Sequence, residues 1–356
     1  AAYDAMILNV LKVFAPSVIA LVVGILLTPF LTDYLYRNRM WKKRAGKVAP
    51  DGTATPIFNS LHKDKEVGTP RMGGIIIWMS VLVTTLLLWL VGVVDPSPLA
   101  QKLDFLSRNQ TWLPLFTLVT ASLVGLADDL LQVRGTGGYV AGGLSFWKRV
   151  IIVIGIGLVG GWWFYARLGV SSIAVPFDGE LFLGALIIPF FIIVMLALFS
   201  SGVIDGIDGL AGGVMAAIFA SYTGIAFMQN QIDLAAFCAV ILGGILAFLW
   251  FNIPPARFYM SETGMLGLTT TLTVIAFLTG QVLVLPIIAF PLVATSLSDI
   301  IQLSSKKFRG KKVFLIAPLH HHFEALGWPP YKVVMRYWVL SVVMAIIGMI
   351  IAVIGS

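Results

Sequence analysis

Two adjacent carboxylates, Asp128 and Asp129, follow directly on an uncharged apolar run at 112–127. On a helix, neighbouring residues point about 100° apart, so one acid can hold a cation while the other faces a substrate. Further along, Asp205 and Asp208 occur in Asp205-Gly206-Ile207-Asp208-Gly209-Leu210. A helical turn would put both on one face, towards a shared cation or donor. The glycines there would let backbone amides receive a phosphate oxygen. Asn252 and Glu262 flank a Pro254-Pro255-Ala256-Arg257 segment, and Glu262 is the kind of hard oxygen ligand that magnesium takes alongside water and phosphates. His320, His321 and His322 form a triplet followed by Phe323-Glu324. Consecutive histidines rarely converge on one tetrahedral zinc. Near neutral pH they suit a phosphate, a nucleobase or a sugar hydroxyl. Lys63 and Lys65 supply cations ahead of a Gly-Pro-Gly-rich segment, and anionic lipid would account for them as well as phosphate would. Plain structural readings exist for the acids too. Asp-Asp can mark a membrane boundary, Asp-Gly is a common turn dipeptide, and Glu262 can serve a helix dipole.

The elements that must position these groups are membrane helices. Of 356 residues, 58% are apolar and 12% charged, with mean hydropathy +0.94, whereas soluble domains carry about 25% charge. Apolar stretches at 7–31, 72–94, 112–127, 150–164, 181–199, 210–228, 234–251, 265–279, 282–297 and 333–353 predict about ten transmembrane spans. Each is helical because a helix satisfies its own backbone in lipid. The eighth and ninth are separated only by Gly280-Gln281, so a single kinked hairpin dipping partway is the other arrangement they allow. The expectation is an all-α polytopic integral membrane protein with one transmembrane domain, 1–356. Cys238, alone inside an apolar run, excludes an internal disulfide. The first apolar stretch is too long for a cleavable signal and lacks a small-residue cleavage motif.

All lysines and arginines except Lys12, Lys102, Arg108 and Arg167 fall on the odd-numbered connections or at the start of the last span. The positive-inside rule makes that face cytoplasmic and both termini extracytoplasmic. This asymmetry accounts for the net charge of +7 without nucleic acid. The acids and histidines named above collect on the same face. Gathered polar chemistry at one interface suits an enzyme on a lipid or lipid-linked substrate, whereas transporters bury their polar site near the midplane.

Taken together, these motifs resemble the phospho-N-acetylmuramoyl-pentapeptide transferases, within the polyprenyl-phosphate N-acetylhexosamine-1-phosphate transferases. The resemblance runs nearly end to end. It rests on Gly68-Thr69-Pro70-Arg71-Met72-Gly73-Gly74, Asp128-Asp129, Gly143-Leu144-Ser145, Asp205 to Leu210, and Ala317-Pro318-Leu319-His320-His321-His322-Phe323-Glu324 with Gly327-Trp328-Pro329. The last stretch favours the muramoyl-pentapeptide branch over relatives that move N-acetylglucosamine phosphate. The resemblance implies ten spans, Mg2+, a UDP-MurNAc-pentapeptide donor, undecaprenyl phosphate as acceptor, a homodimer and a bacterial inner membrane. By position, Asp128, Asp129, Asp208 and His320 match its catalytic motifs. Asp129, Asp208 and Glu262 become candidates for the metal or the diphosphate. Lys63, Lys65, Lys148, Asp205, Asn252, His321 and His322 become candidates for substrate. Asp128 is the candidate for orienting or deprotonating the acceptor, as base or as nucleophile. Three departures accompany the match. Arg71 stands where the family has threonine, Gly202 where it has asparagine, and Ser261-Glu262-Thr263-Gly264-Met265 where it has Gly-Asp-x-Gly-Ser. A UDP-GlcNAc transferase, a silent family member and a lipid transporter are the competing readings.

Overall fold

The computed structural model describes residues 2–43, 55–136 and 142–356, with Ala2, Lys63 and Asp64 described by backbone alone. Arg44 and Lys47 of the basic first connection, and the side chain of Lys63, lie outside the described residues. In chain order the helices are α1 (Ala2–Arg37), α2 (Pro56–Glu66), α3 (Ile75–Val94), α4 (Pro98–Leu103), α5 (Trp112–Arg134) and α6 (Phe146–Trp162). A hairpin of β1 (Ser172–Val175) and β2 (Gly179–Phe182) follows, pairing Ser172 with Phe182 and Val175 with Gly179. Then come α7 (Ile187–Ser200), α8 (Leu210–Met228), α9 (Ile232–Asn252), α10 (Ser261–Leu278), α11 (Leu285–Ile288), α12 (Phe290–Arg309), α13 (Leu319–Ala325) and α14 (Pro330–Ile354).

Among the described residues, nine helical stretches are long and apolar enough to cross a membrane. They are α1, α3, α5, α6, α7, α8, α9, α10 and α14, with α6 and α7 lengthened by short π and 3-10 turns. The chain is thus an all-α, multi-pass membrane protein, and nine such helices are consistent with about ten spans. The stretch at 282–297 is where the two differ. It is broken into α11 and α12, each with a proline, Pro286 or Pro291, near its start. A proline has no N–H to give and its ring clashes with the carbonyl four residues back, so the helix restarts at each one. The second piece then runs past the apolar stretch to Lys306, Lys307 and Arg309. The hairpin also takes the first residues of the expected fifth span, which begins at Gly184 instead of 181.

Burial sorts the helices into layers. The apolar window of α10 is 89% buried, whereas that of α1 is 22% buried, so α10 is a central post and α1 an outer helix. α10 packs on α5, α9 packs between α1 and α8, and α14 covers α8. An ion pair between Lys12 and Asp233 ties α1 to the start of α9. The N-terminal end of α10 and the C-terminal half of α5 therefore meet in the interior, and the candidate groups are built there.

Candidate active site

The two acids lie inside α5, which continues to Arg134 and ends at Gly135 in a left-handed cap. Their neighbour Gly125 faces α10 so closely that a Cβ would overlap the Glu262 carbonyl and come within 2.8 Å of the Thr263 Cα. This close approach lets Asp129 receive the start of α10. Its Oδ2 accepts from the Ser261 hydroxyl at 2.8 Å and from the Thr263 N–H at 2.9 Å, and its Oδ1 accepts from the Glu262 N–H at 3.3 Å. A carboxylate on the first amides of a helix is favoured by both the orphan N–H groups and the dipole. The loop before α3 closes the same corner. Gly73 and Gly74 donate to the carbonyls of Tyr259 and Met260, and Tyr259 donates back to Pro70. That pairing brings the Arg71 guanidinium to 3.6 Å from Asp129 Oδ1. Asp128 turns the other way. It accepts from the Leu144 N–H at 2.6 Å and the Gln132 amide at 3.0 Å, so it anchors the chain leading into α6. The two adjacent acids have different partners, as helical geometry allows.

Asp205 and Asp208 do not share a helical turn. A 3-10 turn ends at Ile204, and α8 begins only at Leu210 after Gly209, whose φ is +79. Both carboxylates still reach the same region. Asp205 accepts from the Ser261 N–H at 2.9 Å and Asp208 from the Ala256 N–H at 3.3 Å. Asn252 is buried beneath this loop. It accepts from Gly209 N–H at 2.8 Å and donates to the Phe258 carbonyl at 2.9 Å. At the start of α6, Arg149 donates to Glu262 Oε1 at 3.1 Å. Arg71, Arg149, Asp205, Asp208, Glu262 and His321 all line one cavity of about 600 Å³. Tyr259 lines it too and donates to the Lys65 carbonyl at 2.8 Å. Burial, against a hydrogen bond with Thr69 and with Asp208, Asp205 and Glu66 nearby, pushes its phenol up to about 12.

The histidine triplet opens α13. His320 and His321 are buried with ring centroids 4.2 Å apart. Gly206 is flush against both, since a Cβ there would come within 2.6 Å of His320 Nε2 and 2.7 Å of His321 Nε2. Glu324 Oε1 lies 2.6 Å from His321 Nδ1 and 3.2 Å from Nε2 of His62 on α2. Burial alone would raise the Glu324 carboxyl, but the hydrogen bonds from His321 and His62 outweigh it and hold it down at about 2. His62, His321 and Glu324 have ligand atoms within 4.8 Å of one another, the one such His/Cys/Asp/Glu group among the described residues. They could hold a divalent ion, and two imidazoles with one carboxylate suit zinc or another transition metal better than magnesium.

The remaining candidates separate. Lys65 lines the cavity, while Lys148 is exposed and outside its lining, its place taken by Arg149. His322 lies away from the cavity, accepting from the Leu315 N–H and meeting Phe314 edge-on. Asp129 is fully buried behind the wall. The set Asp129, Asp208 and Glu262 is not gathered within metal-ligand spacing. Both Asp129 oxygens are already taken, and Glu262 is held by a guanidinium. No motif marked Arg149 or Ser261 for the cavity they line, or His62 as the partner of Glu324. His62 could have been suspected only as the one histidine outside the triplet.

The segment 111–280 matches the family described as glycosyl transferase family 4. Over 343 residues the chain is 33% identical to the phospho-N-acetylmuramoyl-pentapeptide-transferase of Geobacillus sp. (strain WCH70), covering 94% of this chain and 96% of that relative. Over 368 residues it is 31% identical to the protein of the same name from Pelagibacter ubique (strain HTCC1062), covering 95% and 91%. With these bacterial relatives and its membrane-spanning helices, the chain is a polytopic protein of the bacterial inner membrane.

Proposed function

This chain belongs to the phospho-N-acetylmuramoyl-pentapeptide transferase family within glycosyl transferase family 4, and from that we propose that it moves phospho-MurNAc-pentapeptide from its UDP donor to undecaprenyl phosphate, releasing UMP. Membership already implies a lipid-linked acceptor and a sugar-phosphate donor in a membrane setting. Together with the His62, His321 and Glu324 group it supports a metal-dependent transferase in general terms. The observation that supports a nucleotide-sugar donor is the cavity lined by Arg71, Arg149, Lys65, Asp205, Asp208, Glu262 and His321, while the muramoyl-pentapeptide branch is supported by the named relatives and by the Ala317 to Pro329 stretch. It is wide enough for a nucleotide sugar and lies at the ends of apolar helices. We read that end as cytoplasmic.

The reaction is an in-line displacement. An oxygen of the acceptor phosphate attacks the β-phosphate of the donor, the bond to the α-phosphate oxygen breaks, and UMP leaves with that oxygen. The acceptor is already mostly dianionic at pH 7, with a second pKa near 6, so positioning and charge matter more than proton removal. Arg71 and Arg149 present planar forks suited to phosphate oxygens. Asp128 fixes the Leu144 turn through its 2.6 Å bond and so holds the start of α6, with Arg149, against the cavity. Asp129 clamps the first turn of α10 and positions Glu262. His321, oriented by Glu324, offers its Nε2 beside Gly206 to the sugar or phosphate. Magnesium, which the resemblance implies, does not fit Asp129, Asp208 and Glu262 as they are placed, and no step above passes through it. The test compares donors. Purified protein with undecaprenyl phosphate should release UMP rapidly from UDP-MurNAc-pentapeptide and poorly from UDP-GlcNAc. Equal use of both would move the assignment to the N-acetylglucosamine branch.

A further inference from the structure

At the α5–α10 corner two carboxylates, Asp129 and Glu262, are each met by an arginine. Arg71 Nη2 lies 3.6 Å from Asp129 Oδ1, and Arg149 Nη1 lies 3.1 Å from Glu262 Oε1. Both arginines line the cavity. Their side chains keep 17% and 26% of their exposure, so each arginine meets its carboxylate while still reaching the cavity. Nε of Arg71 and Nε of Arg149 are buried with no hydrogen-bond partner. Each guanidinium therefore still has hydrogen-bonding capacity that its carboxylate does not use.

The charge arithmetic is the same as for a metal. A divalent ion between Asp129 and Glu262 would bring two positive charges to two carboxylates, and two guanidiniums bring the same two. A guanidinium is also weakly hydrated and presents a rigid fork that matches phosphate geometry. A cation seated between these acids would have to displace both arginines. We propose that Arg71 and Arg149 stand in place of a divalent cation at this end of the cavity and bind the diphosphate of a nucleotide donor through their remaining N–H groups. The identity of that diphosphate rests on the transferase reading above. The arginines' replacement of the cation does not.

The experiment is calorimetric titration of the full chain in detergent with UDP and, separately, with inorganic pyrophosphate, each in excess magnesium and in excess chelator. Wild-type protein should bind both equally well under the two conditions. Arg71→Met and Arg149→Met should each weaken binding in chelator by about ten- to a hundredfold, as expected for losing a charge-assisted contact. Magnesium should restore part of that loss in Arg149→Met alone, because Glu262 is then freed whereas both Asp129 oxygens stay bonded to the start of α10. Arg71→Lys and Arg149→Lys, which keep the charge and lose the fork, carry the comparison if the methionine forms do not fold. In parallel, the paramagnetic spectrum of manganese should report the same binding to wild type and to Glu262→Gln. Loss of wild-type affinity for UDP on chelation, or loss of manganese binding in Glu262→Gln, would overturn the proposal. No acceptor or turnover enters these measurements. A chain that binds UDP through the arginines yet never releases UMP would refute the transferase reading alone.

Discussion

Gly125→Ala tests the packing on which the acid centre depends. A Cβ at this position would sit 2.6 Å from the Glu262 carbonyl carbon and 2.8 Å from the Thr263 Cα, both backbone atoms with no rotamer to yield. Ordinary contact begins at 3.4 Å and the Glu262 carbonyl oxygen is nearer still, so α5 and α10 must separate by at least about 0.8 Å, a strain of the order of 1–3 kcal/mol for overpacking. The same shift stretches the Ser261–Asp129 bond from 2.8 Å and the Thr263–Asp129 bond from 2.9 Å beyond hydrogen-bond range. Asp129 would then lose its hold on the first turn of α10, and Glu262 would move with it. Misplacement approaching 1 Å costs about 10²-fold in rate. The assay is UMP release by purified protein, with thermal unfolding in the same detergent as the check on folding. Gly155→Ala is the control, since Gly155 lies on the exposed side of α6 with nothing within 4 Å of a Cβ. It should leave rate and stability unchanged or slightly improve the helix. A Gly125→Ala protein with wild-type rate and wild-type unfolding temperature would refute the claim that this contact sets the acid centre.

Asn252→Ala should lower stability by about 1–3 kcal/mol, because it strands the Gly209 N–H and the Phe258 carbonyl in the interior; the unfolding midpoint should fall with it, and an unchanged midpoint would remove Asn252 from the support of the 205–209 loop. Glu324, at about 2 in the folded chain against an ordinary 4.5, contributes stability that is present above 4.5 and lost as pH falls towards 2. Acid unfolding of Glu324→Gln followed by near-ultraviolet circular dichroism should therefore lack that part of the wild-type slope between these values. On the orientation read from the basic residues, cysteines placed singly at 107–111 in a Cys238-free background should react with an impermeant reagent outside intact cells, whereas those at 306–312 should not. Equal labelling of the two segments would reverse or abolish that topology.

Much of the fold was legible because lipid imposes a simple rule on the backbone. Uncharged stretches such as 210–228 and 234–251 became α8 and α9 almost residue for residue. The break at 282–297 was half visible, in Pro286 and Pro291, but apolar composition outweighed it. Of the motif residues, Asp205, Asp208, Asn252, Glu262 and His321 line one cavity. Their pairings were not legible, because they join residues far apart in the chain. Arg149 reaches Glu262 across 113 positions and His62 reaches Glu324 across 262. The Asp205 and Asp208 spacing suggested a helical turn, yet glycines at 206 and 209 favour a loop, and local permissiveness overrode period. Arg71 read as a departure from the family pattern. In the structure it is the counter-ion of Asp129.

The dependence of UMP release on polyprenyl phosphate, measured on wild type and on Asp128→Ala protein that unfolds at the wild-type temperature, bears on the transferase reading most closely. UMP should form from UDP-MurNAc-pentapeptide only when undecaprenyl phosphate is supplied, with one lipid-linked diphosphate per UMP, and Asp128→Ala should lower the rate about 10²-fold or more as the Leu144 turn and Arg149 lose their anchor. Folded wild-type protein that releases no UMP in the presence of that lipid, or releases it equally without the lipid, would rule the transferase reading out.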